Sequence, residues 1–187
     1  MRQTRYLWLL ALASCASSMA STEMLSEAEA NQEARLTLSG GRVISVSSPI
    51  DFRALPARAR ATSEAIQPEG TLIFCAQERG PHGDGYRVEK HYEEPFPHMR
   101  SVLVDVNGSV LERSHTLRLV DVPQHVLATA LSLGPKVKSA EIVSGPIAEE
   151  LWRVVIEDRR GRVLVASISL EGTLWATARR NLARVDS

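Results

Sequence analysis

The sequence is poor in aromatic residues and has no excess of charge of either sign. Only 5% of its 187 residues are Phe, Trp or Tyr, and 22 Lys and Arg residues balance 22 Asp and Glu residues. Nucleic-acid binding depends on basic patches and on aromatic side chains that stack on bases. The composition therefore predicts no nucleic-acid partner. An apolar content of 44% is ordinary for a globular protein.

Cysteine is scarce as well, since the chain contains only Cys15 and Cys75. Two cysteines, one of them close to the N-terminus, do not make a disulfide framework. Cys75 lies in the alternating apolar stretch TLIFCAQ (71–77). A lone thiol in such a strand is usually a small buried hydrophobic group, so we predict that Cys75 is unreactive.

No apolar run reaches the roughly 20 residues that a membrane-spanning helix needs. The longest, YLWLLALA (6–13), follows the basic start MRQTR. This pattern predicts a signal peptide over residues 1–15. LASC (12–15) resembles the lipobox of bacterial lipoproteins, which predicts lipidation of Cys15 and a membrane anchor through its acyl chains. Cleavage before Ser21, after the small residues SMA (18–20), is the alternative.

The remaining chain divides into a tether, a hairpin and two similar segments. Residues 16–33 are small, polar and acidic, which predicts a flexible tether, and residues 34–49 alternate around Gly40–Gly41, which predicts a β-hairpin. IDFRALPARARATSEAI (50–66) aligns with LRLVDVPQHVLATALSL (117–133), and VNGSVLER (106–113) aligns with LEGTLWAT (170–177). We therefore predict a tandem repeat, with units at 50–116 and 117–187.

Each repeat predicts one helix followed by three strands. The apolar stripe Leu55, Ala59, Thr62 and Ile66 has helical spacing, and the segments after it alternate as strands do. The resulting fold class is α+β, with two α-β-β-β units that form an antiparallel sheet and pack both helices on one face. The alternation in RVEKHYEE (87–94) predicts a hydrated opposite face, formed by Arg87, Glu89, His91 and Glu93.

This order of elements resembles the PepSY-like domain of exported bacterial proteins. The resemblance lies in helices opened by Leu-Pro or Val-Pro, strands entered through Tyr86 or Trp152, and strands that end in an x-Gly turn. Two such domains in tandem resemble the architecture of the β-lactamase inhibitory protein. The resemblance implies a periplasmic or cell-surface binding module, in some members inhibitory towards peptidases. It implies no catalytic motif and no cofactor, so the predicted protein is not an enzyme.

Trp152 and Trp175 are the candidate binding residues, because an exposed Trp is a frequent energetic centre of protein interfaces. Burial in the core is the competing prediction for both. The predicted partner is an envelope protein or a peptidase, and the membrane is reached through the anchor at Cys15. Two alternatives stay open at this point. One is a structural envelope lipoprotein without a discrete ligand, and the other is a metal-binding protein that uses His82, His91 and His98.

Overall fold

The computed structural model describes residues 34–80, 83–146 and 150–182, with the side chains of 181 and 182 excluded. The predicted signal peptide, Cys15, the tether and His82 lie outside the described residues. Among the helices described, none is both long enough and apolar enough to cross a membrane.

Ten strands and two α-helices make up the described chain. Helix α1 (Ala57–Ile66) and helix α2 (Gln124–Leu133) each follow a proline and a short 3-10 turn, at Phe52–Ala54 and Leu119–Asp121. The strands are β1 (Arg35–Ser39), β2 (Arg42–Pro49), β3 (Thr71–Gly80), β4 (Gly83–Tyr92), β5 (His98–Val104), β6 (Val110–Leu117), β7 (Lys136–Ser144), β8 (Leu151–Glu157), β9 (Val163–Ser169) and β10 (Leu174–Leu182).

The predicted α+β fold with an open sheet is wrong, because the sheet closes on itself. All ten strands form one antiparallel barrel in which each strand pairs with its neighbours in sequence. The circle is completed by β1, which pairs with β10 from Arg35 opposite Leu182 to Leu38 opposite Arg179. Strand makes up most of the described chain and the two helices are short, so the molecule is a β-barrel.

The predicted three-strand unit is also one strand too short. Four strands rather than three follow each helix. In SVLVDVNGSVL (101–111) the chain reverses at a turn between Asp105 and Ser109, which separates β5 from β6. Gly108 allows this turn with φ of +86°, and its carbonyl accepts a hydrogen bond from Thr62 of α1 at 3.0 Å. In the second half, Gly172 has φ of +88° and accepts from Thr129 of α2 at 2.7 Å.

The helices lie against the outer wall of the barrel. On the face opposite the helices, Arg35 of β1 donates to Glu89 of β4 at 2.8 Å, although β2 and β3 lie between these strands. Three strand spacings amount to about 14 Å along the wall. Side chains this far apart meet only by crossing the enclosed space, so this face is the interior.

Each helix covers a separate apolar cluster on the outer wall. Helix α1 packs on a cluster from β3, β4 and β5, and helix α2 packs on a cluster from β7, β8 and β9. The first cluster is centred on Val88 and Val102 and the second on Val154 and Ile156, and all four are 0% exposed. Because α1 lies over β3 to β5 and α2 lies over β7 to β9, the middle of β6 is left uncovered between them, and this gap positions the candidate site.

Candidate functional site

Charged side chains form a continuous chain of ion pairs inside the barrel. Arg87 donates from Nη2 to Glu78 at 3.0 Å and from Nη1 to Glu112 at 3.0 Å. Arg153 continues the chain, with 2.7 Å to Glu112 Oε2 and 3.2 Å to Glu141 Oε1. The predicted hydrated face is therefore wrong for Arg87, whose side chain is only 12% exposed.

The interior field keeps these groups ionised. Burial alone would raise the pKa of Glu112, but the guanidinium groups of Arg87 and Arg153 outweigh burial and hold its pKa at about 2. Burial also opposes ionisation of Glu78, and the same Arg87 lowers the pKa of that carboxyl below its ordinary value. Each charge in this set of ion pairs has a partner within the protein, so the set is a structural element of the interior.

We expect the free energy of unfolding to fall as the pH is lowered from about 4.5 to about 2. A carboxyl with a depressed folded-state pKa contributes stability that is present above its unfolded pKa and is lost as the pH falls through its folded pKa. For Glu112 the two values are 4.5 and about 2, which corresponds to a contribution on the order of 3 kcal/mol.

Urea unfolding at a series of pH values measures this loss, and Glu112→Gln is the control. The variant keeps the shape of the side chain but cannot titrate, so its stability should depend less on pH within this window. An unchanged pH dependence in Glu112→Gln would contradict the role of this carboxyl.

The uncovered outer face of β6, between the strands under α1 and the strands under α2, forms a cleft with a volume of about 410 Å³. We call it the inter-helix cleft. It is enclosed by the C-terminal end of α1, the segment before β5, and the outward side chains of β5, β6 and β7. Its polar lining consists of Gln67, His98, Arg100, Ser101, Arg113, Ser114, His115, Thr116, Ser144 and Glu150.

The floor of the inter-helix cleft is basic because Arg100 of β5 and Arg113 of β6 line it, together with His115 of β6. Arg113 and His115 are exposed, and no described residue bonds to their side chains. Arg100 lies directly opposite His115 in the register of β5 and β6. Arg113 is two residues further along, so the two arginines are diagonal neighbours roughly 7–8 Å apart at their backbones. Two guanidinium groups at this spacing can reach one anion.

Arg100 is held in place by aromatic neighbours. Its guanidinium carbon lies 4.7 Å from the centre of the Tyr92 ring, and its Nε donates to Nε2 of His98 at 3.3 Å. His98 is itself 7% exposed and stacks on Tyr92, with 5.3 Å between ring centres. Its Nδ1 lies 2.8 Å from the carbonyl of Phe96, which can only accept, so Nδ1 carries the proton. Among the described residues, none bonds to the terminal nitrogens of Arg100, which are therefore available as donors.

Gln67 contributes an unusual group to the wall of the inter-helix cleft. It is the residue that ends α1, and its side chain is 1% exposed. Neither the Nε2 nor the Oε1 atom of its amide has a hydrogen-bond partner in the part of the chain that the structure describes. Its backbone carbonyl does, since it accepts from the buried ammonium of Lys90 at 2.7 Å. A buried amide with no partner costs about 1–3 kcal/mol per group, which makes this side chain an exception among the described polar groups.

The two candidate tryptophans lie in different environments, and neither lines the inter-helix cleft. Trp152 is 4% exposed and belongs to the core cluster beneath α2. Trp175 is 48% exposed, at the start of β10, next to a strand irregularity between Leu174 and Ala176. Of the two, only Trp175 offers a surface to a partner.

Two histidines of the metal-binding alternative, His91 and His98, are described by the structure, and they are not brought together. His98 pairs with Tyr92 across β4 and β5, so the neighbouring His91 points to the opposite face of the sheet. His91 lies 3.4 Å from Glu93. Within the described ranges, no group of three or more His, Cys, Asp or Glu side chains could hold a metal ion.

Sequence reasoning did not find Gln67, Arg100 or Arg113. A signal was available in VLERSHTL (110–117), because this strand alternates between Arg113 and His115 on one face and Glu112 and Ser114 on the other. A strand that is polar on both faces cannot be covered by an apolar helix. In this protein Glu112 and Ser114, on the inner face, bond to other polar side chains inside the barrel, whereas Arg113 and His115, on the outer face, line the cleft.

Solved structures of Bacteroides proteins are similar to this chain. A protein of Bacteroides eggerthii that is described as periplasmic has a TM-score of 0.50 at 12% identity, over 70% of this chain and 90% of that chain. A DUF2874 family protein of Bacteroides ovatus has a TM-score of 0.49 at 15% identity, over 66% and 86%. A BLIP-like protein of Bacteroides fragilis has a TM-score of 0.45 at 14% identity, over 71% and 89%.

No protein family model matches the chain, and no curated protein matches it significantly. At 12% identity, the likeness to the Bacteroides eggerthii protein shows a shared fold and no more. The PepSY-like resemblance and lipidation at Cys15 stay predictions.

Proposed function

We propose that this protein is an exported, non-enzymatic binding module of the bacterial cell envelope that holds its ligand in the inter-helix cleft. The observation that carries this proposal is the unpartnered amide of Gln67, 1% exposed, on the wall of a cavity of about 410 Å³. Binding pockets for small groups fall in this size range, with a few polar atoms that fix orientation. The arginines at its floor supply terminal guanidinium donors to which no described residue bonds, although Nε of Arg100 donates to His98.

The state of the reactive groups supports binding rather than catalysis. Burial, with a smaller contribution from Asp51, raises the pKa of the Cys75 thiol to about 11, so the thiol is protonated at neutral pH and is a poor nucleophile. Ser114 points into the barrel, where it donates to Glu141 at 2.7 Å, whereas its neighbour His115 points outward. These two side chains therefore do not form a nucleophile and base pair.

Export and anchoring belong to the proposal through the N-terminal sequence. The basic start and short apolar run support a signal peptide, and a protein with this fold is described as periplasmic. The intact mass of the protein purified from its native membrane tests the anchor. Lipidation adds the mass of acyl chains to a chain that begins at Cys15, whereas cleavage before Ser21 leaves a shorter, unmodified chain.

A cleft-filling variant tests the binding function. Ser144 lies on the wall of the cleft, so Ser144→Trp should fill it, while Thr177→Trp places the same bulk on an exposed part of β10. We expect chemical cross-linking to envelope extract to capture a specific component with the wild type and with Thr177→Trp. Capture by Ser144→Trp should fall by about tenfold or more, equivalent to at least ~1.4 kcal/mol of binding energy.

Equal capture by all three proteins would place the binding surface elsewhere, and urea unfolding of each variant confirms that it is folded. Trp175→Ala in the same experiment tests the predicted contact of this exposed residue with a partner protein. If the wild type captures nothing specific, the structural lipoprotein without a discrete ligand replaces the binding module as the better account.

A further inference from the structure

We infer that the ligand of the inter-helix cleft is a short peptide segment that carries a Glu or Asp side chain. The inference rests on the proposed function and adds the chemical class of the ligand. Three independent properties of the cleft support it: the charge of its floor, the chemistry of its unpartnered amide, and the apolar part of its wall.

The charge of the floor selects an anion. Arg100 and Arg113 approach the cleft from adjacent strands, and Glu150 is the one carboxylate among the described lining residues. The planar donor fork of arginine matches the two oxygens of a carboxylate. Arg100 is already oriented by Tyr92 and His98, so little side-chain freedom is lost when an anion binds.

The amide of Gln67 selects a ligand with both a donor and an acceptor. Its Nε2 needs an acceptor and its Oε1 needs a donor, and both atoms are buried without a partner. A peptide group presents a C=O and an N–H in complementary positions. A free phosphate dianion presents a single hydroxyl donor among its acceptor oxygens, whereas a peptide group holds one donor and one acceptor at a fixed spacing. An amide close to a carboxylate therefore fits the wall better than an inorganic anion does.

The remaining wall is apolar. Ile66, Phe96 and Ile142 line the cleft beside the polar groups. Such surface packs against the aliphatic part of a Glu side chain or against a neighbouring apolar residue of a peptide. The size of the cleft suits a few residues of extended chain rather than a folded domain.

The test uses two pools of hexapeptides that differ at one position. Each pool is acetylated at the N-terminus and amidated at the C-terminus, with a fixed central residue, Glu in one pool and Gln in the other, and random uncharged residues around it. Binding is measured by shifts of the Gln67 side-chain amide signals and of neighbouring backbone amides in the NMR spectrum of the ¹⁵N-labelled protein. We expect the Glu pool to shift these signals at concentrations at which the Gln pool does not.

Charge variants show whether the arginines are responsible. Arg100→Gln and Arg113→Gln should each weaken the binding of the Glu pool by about tenfold, because each variant loses one charge-assisted contact with the carboxylate. Arg42→Gln and Arg159→Gln remove the same charge from exposed positions outside the cleft and should leave binding unchanged. If the cleft variants and the control variants lose the same binding affinity, the effect comes from net charge alone and the inference is overturned.

Gln67→Leu separates a ligand-binding role from a structural one. If the amide serves the ligand, the variant should bind the Glu pool more weakly and yet unfold at higher urea concentration, because a buried unsatisfied group has been removed. Lower stability of Gln67→Leu would contradict this role.

Failure of the inference and failure of the proposed function give different results. Equal binding of the Glu and Gln pools, no binding of either pool, or displacement of the Glu pool by inorganic phosphate at equal concentration overturns the acidic peptide. In each of these cases, loss of captured envelope component in Ser144→Trp still supports binding in the cleft.

Discussion

Replacement of Arg87 by Met is expected to lower the free energy of unfolding by about 3–5 kcal/mol. The guanidinium group neutralises two buried carboxylates, Glu78 and Glu112, and it also donates to Ser101 at 3.0 Å. Met is close to Arg in length but carries no charge, so Glu78 keeps only the hydroxyl of Ser47 as a partner. A buried carboxylate without a counter-charge is what makes the loss large.

Urea unfolding at pH 7 measures the loss, and a second variant identifies its cause. When Glu78 is replaced by Leu in the Arg87→Met background, the stranded charge is removed and a large part of the stability should return. The penalty of Arg87→Met alone should also shrink near pH 4, because the unpaired carboxyl of Glu78 then binds a proton, whereas Glu112 remains paired with Arg153. A double variant no more stable than Arg87→Met would show that packing, rather than charge, explains the loss.

Trp152→Ala is expected to lower the free energy of unfolding by about 3–5 kcal/mol, whereas Trp175→Ala changes it by about 0.5 kcal/mol or less. The reason is burial: Trp152 is 4% exposed within the cluster under α2, and Trp175 is 48% exposed. Truncation of Trp152 leaves a cavity between helix and barrel wall, while truncation of Trp175 leaves only solvent.

The same denaturant titration compares both variants with the wild type, and circular dichroism establishes whether Trp152→Ala folds. If Trp152→Ala is too unstable to measure, Trp152→Phe should show a smaller loss in the same direction. Similar stabilities for the two alanine variants would contradict the different environments of these tryptophans.

Local features of the fold were predictable from the sequence because they depend on near neighbours along the chain. Both helices lie where the apolar stripes and the preceding prolines predict them, at Ala57–Ile66 and Gln124–Leu133. Strands β1 and β2 meet around Gly40 and Gly41, where two alternating runs predict a hairpin. In each case, residues within about ten positions determine the conformation.

Closure of the barrel could not be predicted in this way. It depends on the pairing of β1 with β10, and alternation within a strand carries no information about a partner at the other end of the chain. Arg87 and Glu89 show the consequence. Their alternation indicates a polar face, but only the closed wall makes that face an interior in which the charges pair.

The candidate site is beyond local prediction for the same reason. Gln67, Arg100 and Arg113 come from a helix end and two strands, and no two of them are closer than 13 positions apart in the sequence. These three residues come together at the gap between the helices, and the position of that gap depends on which strands each helix covers. The polarity of β6 on both faces is the one feature of the site that the sequence displays directly.

The pairing of β1 with β10 also governs the order of assembly. The contact joins nearly opposite ends of the described chain, which makes it the most non-local contact in the fold, and contacts of this kind slow folding. During synthesis the chain emerges N-terminus first, so the hairpin of β1 and β2 is made early. Strand β1 then has no second partner until β10 has been made. The seam between these two strands is therefore where a nascent or truncated molecule exposes unpaired backbone.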